Sequence, residues 1–430
     1  MTTDELLVVM DGMIVGNLKR LKGEKLRFVY TDEYRNIPNA TPISLSMPTQ
    51  LRSYSDNVIS PWLSGLLPDN DAVISRWSRE FQVSTSPFSL LSTPIGEDCA
   101  GAISFVAPQR VGDFLGSAGK INWLSDAEIA ERLRDLREDS TAWLGKTFAG
   151  QFSLAGAQAK TAILGQYGRW GVPSGRIPTT HIFKPGIAGF DDHHLNEHLC
   201  LDAARRCGLL AAKSRVVRFN DESAIIIDRY DRKTNGSEIV RIHQEDICQA
   251  RGIPPSRKYQ NEGGPAPLDV AKLLRQVMPA RIAENAVTQF LDAMIWNWLI
   301  AGTDGHGKNY SVLLSRDQVR LAPLYDLASE LPYGSHEKKL RMAMKVGGSY
   351  FVHTERNTWP GAAKDLGLDI DMVVDRVAHL AQLAPDAFSS AALDGEIMAL
   401  DRPITARLVD LIADRAHRCQ QLVQGTKDPG

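Results

Sequence analysis

The chain has 430 residues, 43% of them hydrophobic, which is enough for two or three domains and a sizeable core. Lys+Arg 49 against Asp+Glu 51 leaves a formal charge of −2, so no global electrostatic footprint points to nucleic acid, and no apolar run approaches the length of a membrane span. The five cysteines form no C-x-x-C pair or zinc spacing and read as reduced core thiols; with no secretory pattern at the start, a cytoplasmic location is the expectation.

The first 110 residues carry short strand-like runs. "ELLVVMDGMIVGNL" sets a D-G turn signal between two apolar stretches, "KLRFVYTD" and "GAISFVAP" follow, and a helix is expected around "SDNVISPWLSGLLPD". Residues 1–110 therefore read as a small N-terminal α/β subdomain. The polar, glycine-containing "PQRVGDFLGSAGKIN" marks a boundary, and "SDAEIAERLRDLRE" opens with Ser125 as the N-cap of a helix. A strand-rich region, 111–235, comes next: "FSLAG", "KTAILGQ", "GRWGVP" and "THIFKP", one helix at "LNEHLCLDAARRCGL", then "KSRVVRF" and "SAIIIDRYD". Residues 236–430 are dominated by helical periodicity, in "PLDVAKLLRQVM", "AENAVTQFLDAMIWNWLI", "IDMVVDRVAHLAQLA" and "ITARLVDLIADRAHRCQQLV". The fold class expected is α+β, two-lobed, with a β-rich α/β region at the N-terminus and an all-helical C-terminal lobe.

In "AENAVTQFLDAMIWNWLI", Val287, Phe290, Leu291, Met294, Ile295, Trp298 and Leu299 share one helical face, so that helix is anchored in a core. The next residues, "AGTDGHGKN", crowd Asp304, His306, Lys308 and Asn309 among glycines; Gly302 is placed to end the helix. "YSVLL", the polar turn "SRDQ" and "VRLAP" predict a hairpin pairing 310–314 with 319–323, which would bring Asn309 beside Asp326 of "LYDLAS". An amide oxygen beside a carboxylate suits Mg²⁺, and Asp304 is left free to act as a base.

This arrangement resembles the protein-kinase catalytic core, in which an aspartate is followed, after four intervening residues, by a metal-binding asparagine, then a hairpin, then a second metal-binding aspartate. Asp304 and Asn309 have that spacing and Asp326 takes the third place. Gly302-Thr303 replaces His-Arg, and Asp326-Leu327-Ala328 replaces Asp-Phe-Gly, which argues against an ordinary eukaryotic-type kinase. The nucleotide half is expected upstream. "SLAGAQAKTAIL" offers a small-residue loop for phosphates, and Lys184 on a strand with Glu197 on the following helix matches the kinase lysine–glutamate device. "IIIDRYD" then joins the two lobes.

Taken with "PISLSMP", "WLSGLLPDN", "SPFSLLSTPIGEDCAGAISF" and "HQEDICQARGIPPSRKYQNEGGP", these segments resemble the HipA family of bacterial serine/threonine kinases, toxins of toxin–antitoxin pairs. The resemblance covers most of the chain. It implies a kinase-like fold, ATP with Mg²⁺, and phosphorylation of a cellular protein, an aminoacyl-tRNA synthetase being one such target. It also implies repression through a helix-turn-helix antitoxin of the HipB type that holds the toxin on operator DNA, with no membrane involvement. By the same resemblance Asp304 is the catalytic base, and Asn309 and Asp326 hold the metal. ATP would be contacted by Ala155, Gly156, Ala157, Gln158, Ala159, Lys160, Lys184, Asp228, Arg229, Tyr230, His306, Gly307, Lys308, Asn309, Tyr325 and Asp326. Glu197 orients the lysine, and Ser153 is the site of autophosphorylation. Ala159 departs from relatives with an acidic residue there.

Two other readings stand beside this one. "HLNEH" matches the H-x-x-E-H zinc-peptidase pattern through His194, Glu197 and His198; the bland alternative is a pair of solvent-facing histidines around Glu197. A catalytically inactive kinase-like co-repressor scaffold is the other, although it leaves Asp304, Asn309, Lys184 and Asp326 without a purpose. His243 is assigned no role.

Overall fold

The first two strands are turned against each other by Asp11 and Gly12. β1 (Glu5–Met10) pairs antiparallel with β2 (Met13–Arg20), and the two residues between them have φ of 51° and 76°, the left-handed conformation that a two-residue hairpin loop requires at both positions. β3 (Leu26–Tyr30) and β4 (Ser53–Ser55) extend the sheet beyond β2, and β5 (Ile103–Val106) completes it beside β1. Leu6, Val8, Leu18 and Phe28 project from it into a core shared with Trp62 and Trp77 of the helices Asp56–Gly65 and Asp71–Phe81. The computed structural model describes residues 4–145, 150–236, 238–316, 318–334, 337–353 and 357–427.

By packing, the chain divides into two units. The first comprises Met1–Pro185, Arg218–Ser256 and Val312–Val319; the second comprises Gly186–Val217, Arg257–Ser311 and Arg320–Gly430.

The first unit contains a second sheet. β6 (Ile121–Leu124), β7 (Thr161–Gln166), β8 (Arg169–Pro173), β9 (His181–Pro185) and β11 (Glu222–Asp228) run in the order β11-β9-β7-β8-β6. β10 (Ser214–Phe219), in which the chain passes from the second unit to the first, lies along β11. The helix Asp126–Glu138 starts at Ser125 as expected, with a reciprocal capping box to Glu128. "FSLAG" is not a strand. Ser153 makes only an isolated bridge with Cys99, because three residues later the backbone turns through Gly156 at φ 100°.

His243, Glu245 and Tyr30 together hold the segment "PISLSMP". Leu45 N–H donates to Glu245 Oε1 at 2.7 Å, His243 Nε2 lies 2.9 Å from the Ile43 carbonyl, and Tyr30 bridges Ile43 N–H and the Met47 carbonyl at 2.9 and 2.6 Å. Ala102 N–H donates to His243 Nδ1 at 3.4 Å, so the proton of the neutral imidazole sits on Nε2. Burial pushes the His243 pKa down to about 4. Burial likewise pushes Glu245 up from 4.5 to about 8, only partly offset by the Leu45 bond. A carboxyl whose pKa is raised on folding stabilises the native state below its unfolded value and loses that contribution as pH rises through the folded value. Stability should therefore fall between pH 4.5 and about 8 on account of Glu245. Glu245→Gln, which keeps the acceptor for Leu45, should flatten this fall and be more stable than wild type at pH 8 by roughly 2–4 kcal/mol. Urea unfolding at pH 5 and pH 8 checks it.

The second unit is built on the helices His193–Arg206, Pro267–Val277, Ala280–Leu299, Ile370–Ala392 and Pro403–Lys427. All seven residues of the apolar face predicted on Ala280–Leu299 are buried, and its last two turns are buried all round. "All-helical" is too strong for the C-terminal half: besides the hairpin Ser311–Ser315 and Gln318–Leu321, short strands occur at His243–Asp246, Arg341–Val346 and Ser349–Phe351. The hairpin has the predicted register, with Ala322 N–H donating to the Ser311 carbonyl at 2.8 Å. Asp317 of its turn lies outside the described residues.

Candidate active site

The loop that carries Asp304 begins where Ala280–Leu299 stops, and the stop is a Schellman motif. Gly302 N–H donates to the Asn297 carbonyl and Ala301 N–H to that of Trp298. The left-handed residue is Ala301, with φ 51°, and not Gly302 as the sequence suggested. Gly302 is needed for a different reason. A Cβ there would lie 2.7 Å from Asn297 Oδ1, and one at Gly305 would lie 3.0 Å from the Tyr310 hydroxyl. These two glycines let the loop settle on the buried Asn297, whose Nδ2 donates to the Ala293 carbonyl and Tyr310 Oη. The helix end is further held by Arg415, fully buried, which donates to the carbonyls of Trp298 and Leu299 and pairs with Glu337. A guanidinium there satisfies orphan carbonyls and complements the negative end of the helix dipole.

Asp304 stands on this support with its side chain 61% exposed. Tyr259 Oη donates to its Oδ1 at 2.6 Å, while Oδ2 lies 3.9 Å from His306 Nε2. His306 is buried and its ring meets Tyr259 edge-on at 5.0 Å. Glu330 is half-buried nearby: burial and then the Asp304 charge raise its pKa, against a bond from the Thr303 hydroxyl.

Asn309 and Asp326 are brought together by the hairpin. Asn309 Nδ2 donates to Asp326 Oδ2 at 3.1 Å, and Asp326 adopts φ 58°, which aspartate tolerates better than most residues. Asn309 Oδ1 is buried with no hydrogen-bond partner among the described residues. A buried, unpaired amide oxygen is costly, and here it sits next to a carboxylate. Two such oxygens suit a hard, oxygen-seeking cation, so the residues present fit Mg²⁺. Tyr325 fixes the same corner by donating to the Lys308 carbonyl at 2.5 Å and contacting Ser311 Oγ at 2.7 Å; Lys308 is buried. Glu197 is also in this unit, buried on His193–Arg206.

The first unit holds the other group of predicted residues. Ser153 is fully buried; its hydroxyl donates to the Leu66 carbonyl at 2.6 Å and its N–H to the Asp98 carbonyl at 2.9 Å. Residues 155–160 form a tied loop. Lys160 Nζ donates to the Ala155 carbonyl at 2.7 Å and lies 4.9 Å over the Trp143 ring, and Asp69 N–H donates to the Gly156 carbonyl. A side chain at Gly156 would meet Lys160 Nζ at 2.5 Å. Lys184 is buried in β9, opposite Ile225 of β11.

The segment Asp228–Tyr230 is tied down by protein partners. Asp228 lies 3.3 Å from His181, and Tyr230 Oη donates to Gln244. The Arg229 guanidinium is buried against Asp231, Thr179 and the Cys99 carbonyl. Together with Asp98, Arg232 and Arg241 these residues make a buried ion cluster. Burial alone would raise the pKa of Asp98, but the three guanidiniums hold it well below the ordinary carboxylate range. The cluster anchors the Asp98–Cys99 segment to which Ser153 is bonded. No motif announces it, since its members come from three distant stretches of sequence.

His194 and His198 are not solvent-facing; the helix that carries them is packed on most sides, and burial lowers both pKa values. His198 Nδ1 contacts Ser214 Oγ at 2.9 Å. Among the described residues no group of three or more His, Cys, Asp or Glu side chains could hold a metal, so the zinc-peptidase reading lacks a third ligand. Among the same residues no helix is long and apolar enough to cross a membrane.

Comparison with known proteins places these features in a family. Residues 6–106 match the HipA N-terminal domain and residues 152–388 the HipA-like C-terminal domain. A Sinorhizobium fredii protein named Y4mE is 32% identical over 420 residues, spanning 97% of this chain and 98% of that one. The Shewanella oneidensis serine/threonine-protein kinase toxin HipA is 28% identical over 383 residues, 85% of this chain and 83% of the other. The solved structure of Shewanella oneidensis HipA with HipB and its operator DNA has the same fold, with a TM-score of 0.83 at 23% identity, covering 99% of this chain and 100% of that one. With both domains matched and 32% identity to a relative along 97% of its length, the chain belongs to the HipA family.

Proposed function

We propose that this chain is an ATP-dependent serine/threonine protein kinase and the toxin of a toxin–antitoxin pair. The observation that carries this reading is the constellation of the second unit: an exposed carboxylate on a rigid loop, and five residues on an amide whose unpaired buried oxygen is set beside the Asp326 carboxylate. Phosphoryl transfer needs little covalent help from a protein and depends on positioning and charge stabilisation. Asp304 orients the target hydroxyl and accepts its proton. Asn309 Oδ1 and the Asp326 carboxylate hold Mg²⁺, which when bound neutralises charge on the triphosphate. Within the second unit Lys308 and His306 offer positive or polar groups for the phosphates; within the first, Lys184 and the N–H groups of residues 155–160 are the candidate phosphate contacts. Backbone groups of 228–230 serve the adenine and ribose, since the Arg229 side chain is engaged elsewhere. In this apportionment residues 1–110 form an accessory domain, 111–235 the nucleotide-binding lobe and 236–430 the catalytic lobe.

Autophosphorylation at Ser153 would act as an off-switch. The hydroxyl is fully buried and bonded to a carbonyl, so a phosphate carrying about two negative charges has no stable place in the closed loop, which must open. The Shewanella oneidensis complex with HipB and operator DNA supports a HipB-like antitoxin as partner, with DNA reached through it; the helix-turn-helix character of that partner and a cytoplasmic location belong to the proposal. Phosphoproteomics after brief induction, wild type against Asp304→Asn, tests the function: one or a few cellular proteins, an aminoacyl-tRNA synthetase among the candidates, should gain phosphate on serine or threonine in the wild type only. Identical phosphoproteomes would refute it.

A further inference from the structure

Tyr259 belongs to none of the motifs that carry the kinase function, yet its hydroxyl donates to Asp304 Oδ1 at 2.6 Å. It belongs to "RKYQNEGG", a loop folded tightly on itself. Glu262 N–H and Gly264 N–H both donate to the Tyr259 carbonyl, at 3.0 and 2.9 Å, and Gly263 N–H donates to that of Gln260. Gly263 supplies the left-handed turn with φ 91°. Gly264 is packed so closely that a Cβ would lie 2.5–2.7 Å from the carbonyl oxygens of Arg257, Lys258 and Tyr259. The loop is also fastened at both sides. Gly307 N–H donates to the Lys258 carbonyl at 3.2 Å, and Lys345 N–H donates to Gln260 Oε1 at 2.7 Å. The first of these bonds joins it to the same short segment that carries Asp304.

We propose that Tyr259 is a positioning residue for phosphoryl transfer. Its hydroxyl bonds Oδ1 of Asp304, fixes the plane of the carboxylate, and leaves Oδ2 as the oxygen that meets the substrate hydroxyl. This proposal rests on the kinase reading of Asp304. The backbone bonds of the loop fix the Cα of Tyr259 beside the segment that carries Asp304, which favours positioning. A hydroxyl that donates to a carboxylate favours its ionised over its protonated form.

Tyr259→Phe tests this while retaining the ring that contacts His306 and Lys258. In the full chain with ATP, Mg²⁺ and a protein substrate, or with self-phosphorylation as the readout, kcat should fall about 10-fold with the KM for ATP unchanged. The acid limb of the pH–rate profile should move to higher pH. Independently of activity, the Asp304 carboxyl, followed by NMR with ¹³C-labelled aspartate and assigned with Asp304→Asn, should titrate higher in Tyr259→Phe than in wild type, since the donated bond is gone. An unchanged Asp304 titration in the folded variant overturns the proposal whether or not the enzyme is active. An inactive wild type with the expected titration shift would instead count against the kinase reading and leave the Tyr259–Asp304 bond established.

Discussion

Asp304→Asn is expected to abolish transfer of phosphate from ATP, by about 10²–10⁴-fold, while leaving the fold and ATP binding intact. The substitution is nearly isosteric, and an amide oxygen can still accept the Tyr259 hydroxyl that Oδ1 accepts now. The Asp304 side chain is largely exposed, so thermal stability should change little. What is lost is the ability to take the proton from the attacking hydroxyl. Calorimetry with ATP and Mg²⁺ should give affinity within a few-fold of wild type. A variant that loses ATP binding as well would mean that Asp304 holds nucleotide or metal and is not the base.

The second large effect is expected at Asp326. Asp326→Asn keeps the size of the side chain and a residue type that accepts φ 58°, so backbone strain is not introduced. It removes the negative charge of the carboxylate beside the Asn309 oxygen. Phosphoryl transfer should drop by about 10³-fold, and the dependence of the residual rate on Mg²⁺ should move to much higher metal concentration, a shift that Asp304→Asn should not produce. The two variants thus separate base from metal ligand. If both gave the same Mg²⁺ titration as wild type, Asn309 and Asp326 would not be the metal pair.

The parts that were legible in the sequence were those fixed by short-range periodicity. The face of Ala280–Leu299, the Ser125 cap and the hairpin register follow from helical spacing, a capping box and a polar turn, so the nearness of Asn309 to Asp326 could be worked out on paper. The features that were not legible depend on packing between distant segments. Tyr259 is 45 positions from the aspartate it bonds. Asp98, Arg229, Arg232 and Arg241 look like surface charges until the fold buries them together. The histidines of "HLNEH" sit on a helix whose composition does not say that both faces are covered. The glycines of "AGTDGHGKN" were legible as a group, but the close contacts of two of them were not. Gly302 and Gly305 make room for Asn297 and Tyr310, and the left-handed position fell to Ala301. His243 gave no sequence signal for its role, a neutral anchor for the backbone at Ile43 and Ala102.

The most direct test is incubation of the purified chain with γ-labelled ATP and Mg²⁺, followed by phosphopeptide mapping. The account predicts label on Ser153 in wild type and in an added protein substrate, none in Asp304→Asn, and little in Asp326→Asn. It is contradicted if wild type transfers no label to itself or to any lysate protein, or if Asp304→Asn labels as fast as wild type.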